Sequence, residues 1–211
     1  MKNRMHKSSN VISLIVFIFL FSCGPENTYL IQGNVYYNKG QYDQAISQFS
    51  NAIKANPKYA MAYYNRGIAY MKKGQYDLAI SDCTKALEIN PRYVEAYNNR
   101  GNAYIYIGQY DQAISDCNKA LEIDPRFAMA YFNRGCSYGK KGQYDQAISD
   151  FNKALEINPR YGEAYIHRAV LYYLEKDYDK CWKDTNKAQD LGYQVPTEFL
   201  DDLRRASGRQ K

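Results

Sequence analysis

Between residues 61 and 73, apolar and aromatic side chains fall at Ala62, Tyr63, Ala69 and Tyr70, with the stem of Arg66 between them. That spacing of three and four gathers residues onto one helical face. Gly74 follows, where a helix ends cheaply because glycine adopts the left-handed conformation without strain. A second helix is predicted over residues 77–89, with Ala79, Ile80, Cys83, Ala86 and Leu87 on its inward side. Asn90 and Pro91 close it, since proline disfavours helical geometry in the residue before it.

This hairpin returns every 34 residues. Gly67, Gly74, Tyr76, Ala79, Ala86 and Pro91 reappear as Gly101, Gly108, Tyr110, Ala113, Ala120 and Pro125, then as Gly135, Gly142, Tyr144, Ala147, Ala154 and Pro159. The plainest copies are residues 60–93, 94–127 and 128–161. Upstream, Gly33, Gly40, Tyr42, Ala45, Phe49, Ala52 and Pro57 define a unit over 26–59. Downstream, Tyr165, Tyr172, Tyr178 and Ala188 define a degraded unit over 162–195, with Ala169 and Lys176 at the glycine positions and Cys181 at an alanine position. A period of this length marks a stacked array whose units bury apolar faces on one another. Glycine inside a helix costs about 1 kcal/mol against alanine, so close helix approach is the expected compensation at Gly67.

Beyond the fifth unit, residues 196–211 read as one more helix and a basic tail. Phe199, Leu200 and Leu203 are placed to cover the last unit while Asp201, Asp202, Arg204 and Arg205 face water. Arrays need such a cap for solubility. A docking helix for a partner is the alternative, and Arg209 and Lys211 are expected to lie in a frayed end.

Tyr63, Gly67, Tyr70, Gly74, Tyr76, Ala79, Ala86 and Pro91 resemble the tetratricopeptide repeat consensus in length and residue type. The resemblance implies an all-α fold, a right-handed superhelical solenoid of five helix pairs plus a C-terminal capping helix. First helices would line a concave groove and second helices the outer wall. It also implies a non-enzymatic scaffold that binds a protein or peptide. By analogy the groove positions include Asn34, Tyr64 and Asn65, then Asn98, Asn99, Asn102 and Tyr106, then Phe132 and Asn133, and finally His167 and Tyr173. Asparagine offers donor and acceptor together, so a ladder of amides suits the backbone of an extended segment. Aromatic rings add contact area at low entropic cost. The family's clamp for C-terminal carboxylates would need cations where this chain has Leu30, Glu95 and Asn99, with only Asn34 and Asn65 retained, which disfavours that partner class.

The N-terminus supplies an address. Lys2, Arg4, His6 and Lys7 precede an apolar run over residues 11–21, too short for a membrane span of about 20 residues but suited to a secretory leader. It ends in Leu20, Phe21, Ser22, Cys23, which is similar to a bacterial lipobox: residues 1–22 would be removed, Cys23 acylated, and residues 23–25 left as a tether. Phe21 departs from the smaller residue usual there. Plain secretion and an uncleaved anchor are the alternatives. The expected location is a bacterial cell envelope, lipid-anchored on the periplasmic face of the outer membrane.

Removing the leader reshapes the charge. The full chain has 28 Lys and Arg against 22 Asp and Glu; without Lys2, Arg4 and Lys7 the balance is 25 against 22, or +3. Asp82, Lys85 and Glu88, repeated at Asp116, Lys119 and Glu122, read as surface pairs on a solvated outer wall, so nucleic acid is not an expected partner. Cys83 and Cys117 share the position of Phe49 and Phe151 and read as core; no disulfide is expected of them, nor of Cys136 or Cys181. The chain has no Cys-x-x-Cys, phosphate loop or nucleophile elbow, and its one histidine after the leader is His167. No catalytic residue, metal site or cofactor is therefore assigned. The sequence reads as an adaptor holding an envelope protein. A self-associating structural protein, or a pilotin or assembly factor for pili or secretion systems, remains as the alternative.

Overall fold

The computed structural model describes residues 24–209, and among them eleven α-helices. Cys23 and the leader lie outside the described residues. Two compact units divide at Pro91. The first holds α1 (Pro25–Asn38), α2 (Tyr42–Ala55), α3 (Ala60–Lys72) and α4 (Tyr76–Ile89). The second holds α5 (Val94–Tyr106), α6 (Tyr110–Ile123), α7 (Ala128–Lys140), α8 (Tyr144–Ile157), α9 (Gly162–Leu174), α10 (Tyr178–Asp190) and α11 (Thr197–Ser207). These are five helix pairs and a terminal helix, all-α as the 34-residue period predicts. α1 begins at Pro25, inside the stretch expected to be tether; proline is pre-organised for the first helical position.

Each hairpin turns through one residue in the left-handed region. Gly40, Gly74, Gly108 and Gly142 take φ of 73°, 71°, 76° and 74°. Lys176 takes φ of 63° at the same place in the fifth pair, so the turn survives the loss of its glycine. The turn backbone explains why: Lys176 N–H donates to Tyr173 O at 3.0 Å and Asp177 N–H to Tyr172 O at 2.9 Å, matching Gly74 to Met71 and Gln75 to Tyr70, both at 3.0 Å.

Alanine dominates the core. Ala45, Ala52, Ala62 and Ala69 are fully buried with Phe49 in the first unit, and Ala147, Phe151 and Ala164 form the corresponding cluster in the second. Small residues permit the close approach that lets short helices share a core. A Cβ added at Gly33 would come within 2.4 Å of the Phe49 ring, and one at Gly135 within 2.9 Å of Phe151. At Gly67 the facing residue is the smaller Cys83, whose Sγ would stand at 3.3 Å. Glycine and phenylalanine thus fit each other across a hairpin.

α11 caps the second unit. Leu203 is fully buried against Ala169 and Cys181, with Phe199 half-buried beside it. Arg209 is tied down and not frayed, while Lys211 lies outside the described residues: Arg209 pairs with Asp179 at 2.7 Å and lies over the Trp182 ring, whose Nε1 donates to Ser207 Oγ at 3.0 Å. Trp182 is the reason, a large surface on α10 that the end of the chain covers. No described helix is long and apolar enough to cross a membrane.

Candidate peptide-binding face

A recurring arginine fixes the faces of the hairpins. Arg66 donates from Nε and Nη2 to the two carboxylate oxygens of Asp82, both at 2.7 Å. The same fork joins Arg100 to Asp116, Arg134 to Asp150 and Arg168 to Asp184 at 2.7–2.8 Å. Each aspartate belongs to the second helix of the same pair and is buried. The remaining arm of the guanidinium reaches the preceding second helix: Arg66 to Ser50 at 3.0 Å, Arg134 to Asn118 at 2.6 Å, and Arg168 to Asn152. The guanidinium carbons stand 5.4–5.7 Å from the ring centroids of Tyr63, Tyr97, Tyr131 and Tyr165. Hydrogen bonding to the aspartate raises the pKa of Arg66 and Arg134. Burial pushes Asp116 upward against the pull of Arg100, the desolvation cost of an enclosed pair.

This corrects the expectation for the outer wall. Asp82, Asp116 and Asp150 are not solvated surface charges; only the other two members of each triplet pair on the surface, as Lys85 with Glu88, Lys119 with Glu122 and Lys153 with Glu156, each at 2.7 Å. The sign lay in the sequence as an arginine and an aspartate sixteen residues apart, repeated four times. Lys85 and Glu88 pair within one helical turn, whereas Arg66 and Asp82 meet only once the hairpin has closed, so local spacing marks the first contact and not the second.

The first-helix positions named from the resemblance fall into different environments. In the first unit, Asn65 Nδ2 donates to Asn34 Oδ1 at 2.9 Å on the exposed surface, and Tyr64 is half-buried beside them in sequence. In the second, Asn133 Nδ2 donates to Asn98 Oδ1 at 2.9 Å, but this pair is buried and joins α7 to α5. Asn99 and Asn102 are half-buried and Tyr106 is exposed. Tyr173 packs against Tyr178 and, under the cap, Phe199, with ring centroids 5.9 and 5.6 Å apart. The amides are therefore two bonded pairs in separate units plus Asn99 and Asn102.

Phe132 and His167 come together. Their rings meet edge to face at 5.1 Å, and His167 Nδ1 lies 3.8 Å from Cys136 Sγ. Crowding by protein atoms, and secondarily the charge of Lys140, lowers the His167 pKa, although part of the residue stays exposed. Burial raises Cys136 to about 12, so its thiol stays protonated. Among the described residues no third metal-ligating side chain joins this pair. The four described cysteines, Cys83, Cys117, Cys136 and Cys181, are free thiols. Next to Cys136 and His167 a cavity of about 340 Å³ opens between α7, α8 and α9.

Paired antiparallel helices in a 34-residue register, stacked through small residues and clipped by arginine, define a helical-repeat interaction scaffold. The tetratricopeptide repeat profile matches residues 60–93, 94–127 and 128–161, and a TPR repeat profile matches residues 33–74. The chain belongs to the tetratricopeptide repeat family. No curated protein matches the chain. Among solved structures, MamA is similar at 28% identity over 76% of this chain and 94% of its own, with a TM-score of 0.67. TTC0263, a TPR protein of Thermus thermophilus, is 27% identical over 87% of this chain and 97% of its own, with a TM-score of 0.68. PilW, a type IV pilus biogenesis factor, shares the fold at 23% identity, 87% and 86% coverage and a TM-score of 0.79.

Proposed function

We propose that the protein is a lipid-anchored adaptor of the bacterial cell envelope, acylated at Cys23, that holds an extended segment of an envelope protein against its first helices. The observation that carries the binding half is the first-helix face of the second unit. Asn99 and Asn102 offer amides there, and Tyr106, Met129, Val170 and Leu174 are exposed large side chains. Amides suit a peptide backbone, and exposed apolar side chains at this density suit its side chains. The anchoring half rests on the apolar run over residues 11–21 ending at Leu20, Phe21, Ser22 and Cys23.

Photocrosslinkers placed in cells at Asn102 and Tyr106, and at outward Lys119 as control, test the binding half. Captured protein is expected from the first two positions and not from the third; equal yield from Lys119 sinks the groove reading. Cys23→Ser is expected to abolish acyl labelling and release the protein from membranes, and retention of both labels and membranes sinks the anchor. Self-association is the second reading, favoured by α1: Val35 is 47% exposed, whereas its counterparts Ala69, Ala103, Ser137 and Leu171 are buried. A monomer at high micromolar concentration in sedimentation would count against it.

A further inference from the structure

At one shared position on their first helices the five pairs carry Tyr37, Met71, Ile105, Gly139 and Tyr173. Gly139 alone lacks a side chain, and the 340 Å³ cavity opens beside it, lined by Gly135, Phe151 and Leu171, with exposed Val170 and Leu174 among its wall residues. Packing does not require this glycine. A Cβ at 139 would meet Leu171 Cδ2 at 3.8 Å and Ala147 Cβ at 3.9 Å, ordinary contact, whereas one at Gly135 would collide with Phe151. Nor does conformation require it, since its φ is not in the left-handed region. Glycine within a helix destabilises relative to alanine, so a residue that neither sterics nor backbone demands leaves an apolar space unfilled. The cavity also has a charge: Lys140 lines it and forms no ion pair among the described residues.

We propose that this cavity is a socket for one bulky apolar side chain of an extended peptide partner, with a carboxylate next to that side chain facing Lys140. The proposal rests on the peptide-binding reading of the first helices and narrows it to a partner chemistry and a register. Its volume falls at the small end of ligand pockets, about 300–1,000 Å³, a size for an anchor and not for a long segment. A buried apolar anchor carries a disproportionate share of binding, while flanking contacts exclude water. The missing side chain of Gly139 is thus supplied in trans.

The test uses the full chain and a fluorescent octapeptide of serine and alanine carrying one central leucine followed by aspartate, read by anisotropy. Saturable binding is expected. Replacing the leucine by alanine, or Gly139 by methionine, the residue at position 71, is expected to weaken it at least about tenfold. Gly139→Met is expected to keep full helicity and an undiminished Tm, which separates filling from misfolding. Lys140→Gln, or asparagine in place of the peptide's aspartate, is expected to remove most of the salt dependence. Equal binding by Gly139→Met, equal binding of the leucine and alanine peptides, or no saturable binding up to about 1 mM would each overturn the socket. If Gly139→Met binds normally while Asn99→Ala with Asn102→Ala does not, the socket falls and the first-helix reading stands. If all three substitutions leave binding unchanged, both fall.

Discussion

Replacing Arg134 by methionine breaks the most informative contact in the array. The Asp150 side chain is 7% exposed and that of Arg134 21%, so the pair is enclosed but its cation touches water. Arg134→Met removes two bonds to Asp150, at 2.8 and 2.7 Å, and one to Asn118 at 2.6 Å. Breaking a buried pair from one side costs about 3–5 kcal/mol, because the remaining charge is left uncompensated; partial exposure of the arginine puts the expectation near the lower end, about 3 kcal/mol. That is a large fraction of a domain stability of roughly 5–15 kcal/mol. The exposed pair Lys153–Glu156, with side chains 56% and 67% exposed, supplies the control: Lys153→Met should leave stability nearly unchanged, because solvent screens the pair. Urea unfolding followed by far-UV circular dichroism gives both values. Hydrogen exchange should locate the loss in α6, α7 and α8, since arrays couple nearest neighbours. Arg134→Met with Asp150→Leu should recover most of the loss, as an apolar replacement of a whole buried pair is often neutral. A single-variant cost below about 1 kcal/mol, or a double variant less stable than Arg134→Met alone, refutes the account.

Three further outcomes follow from other sites. Lys176 sits at φ 63°, where a side chain costs about 1–2 kcal/mol; allowing for the extra chain entropy of glycine, Lys176→Gly should stabilise by about 0.5–1 kcal/mol in thermal unfolding. Gln48 Oε1 is buried with no hydrogen-bond partner, so Gln48→Leu should raise stability by roughly 1 kcal/mol, read by urea midpoint at unchanged m-value. His167 has a folded pKa below its ordinary value of 6.5, so the fold favours the neutral ring. Its contribution is present above pH 6.5 and is lost as pH falls from there through the folded pKa. His167→Asn should therefore lose less stability than the parent between neutral and mildly acid pH, measured as the difference of two Tm–pH profiles.

The stacked architecture was legible because its determinants are local and repeated. Gly74, Ala79 and Pro91 each act within one turn of chain, and their recurrence averages out the noise of any single copy. Lys176 shows the limit, for the hairpin kept its left-handed turn when the residue that normally signals it was gone. The contacts between helices were harder. Asn98 and Asn133 read as groove amides, yet they bond to each other beneath the surface. Asn65, two periods before Asn133, meets Asn34 instead, so the period alone does not reveal which amide meets which. The cavity at Gly139 is visible in sequence only as a missing side chain, and its emptiness depends on Phe151 and Leu171 from two other helices.

The arms by which Arg66, Arg134 and Arg168 reach backward also set a rule for rearrangement. Arg134 meets Asn118, and Arg168 meets Asn152, the same residue type one period on. Excising residues 128–161 would bring Arg168 opposite Asn118 with its own Asp184 still attached, so the junction after the cut repeats the one before it. Copies can be inserted by the same logic, while a deletion that is not a whole number of 34-residue steps strands a guanidinium against the wrong side chain. The first pair, with no described helix before it, carries Gln32 on α1 and Gln48 on α2 where later pairs carry arginine and aspartate. The clip thus makes the array a modular part with a direction, lengthened or shortened by recombination in whole steps and started by a pair that carries no such clip.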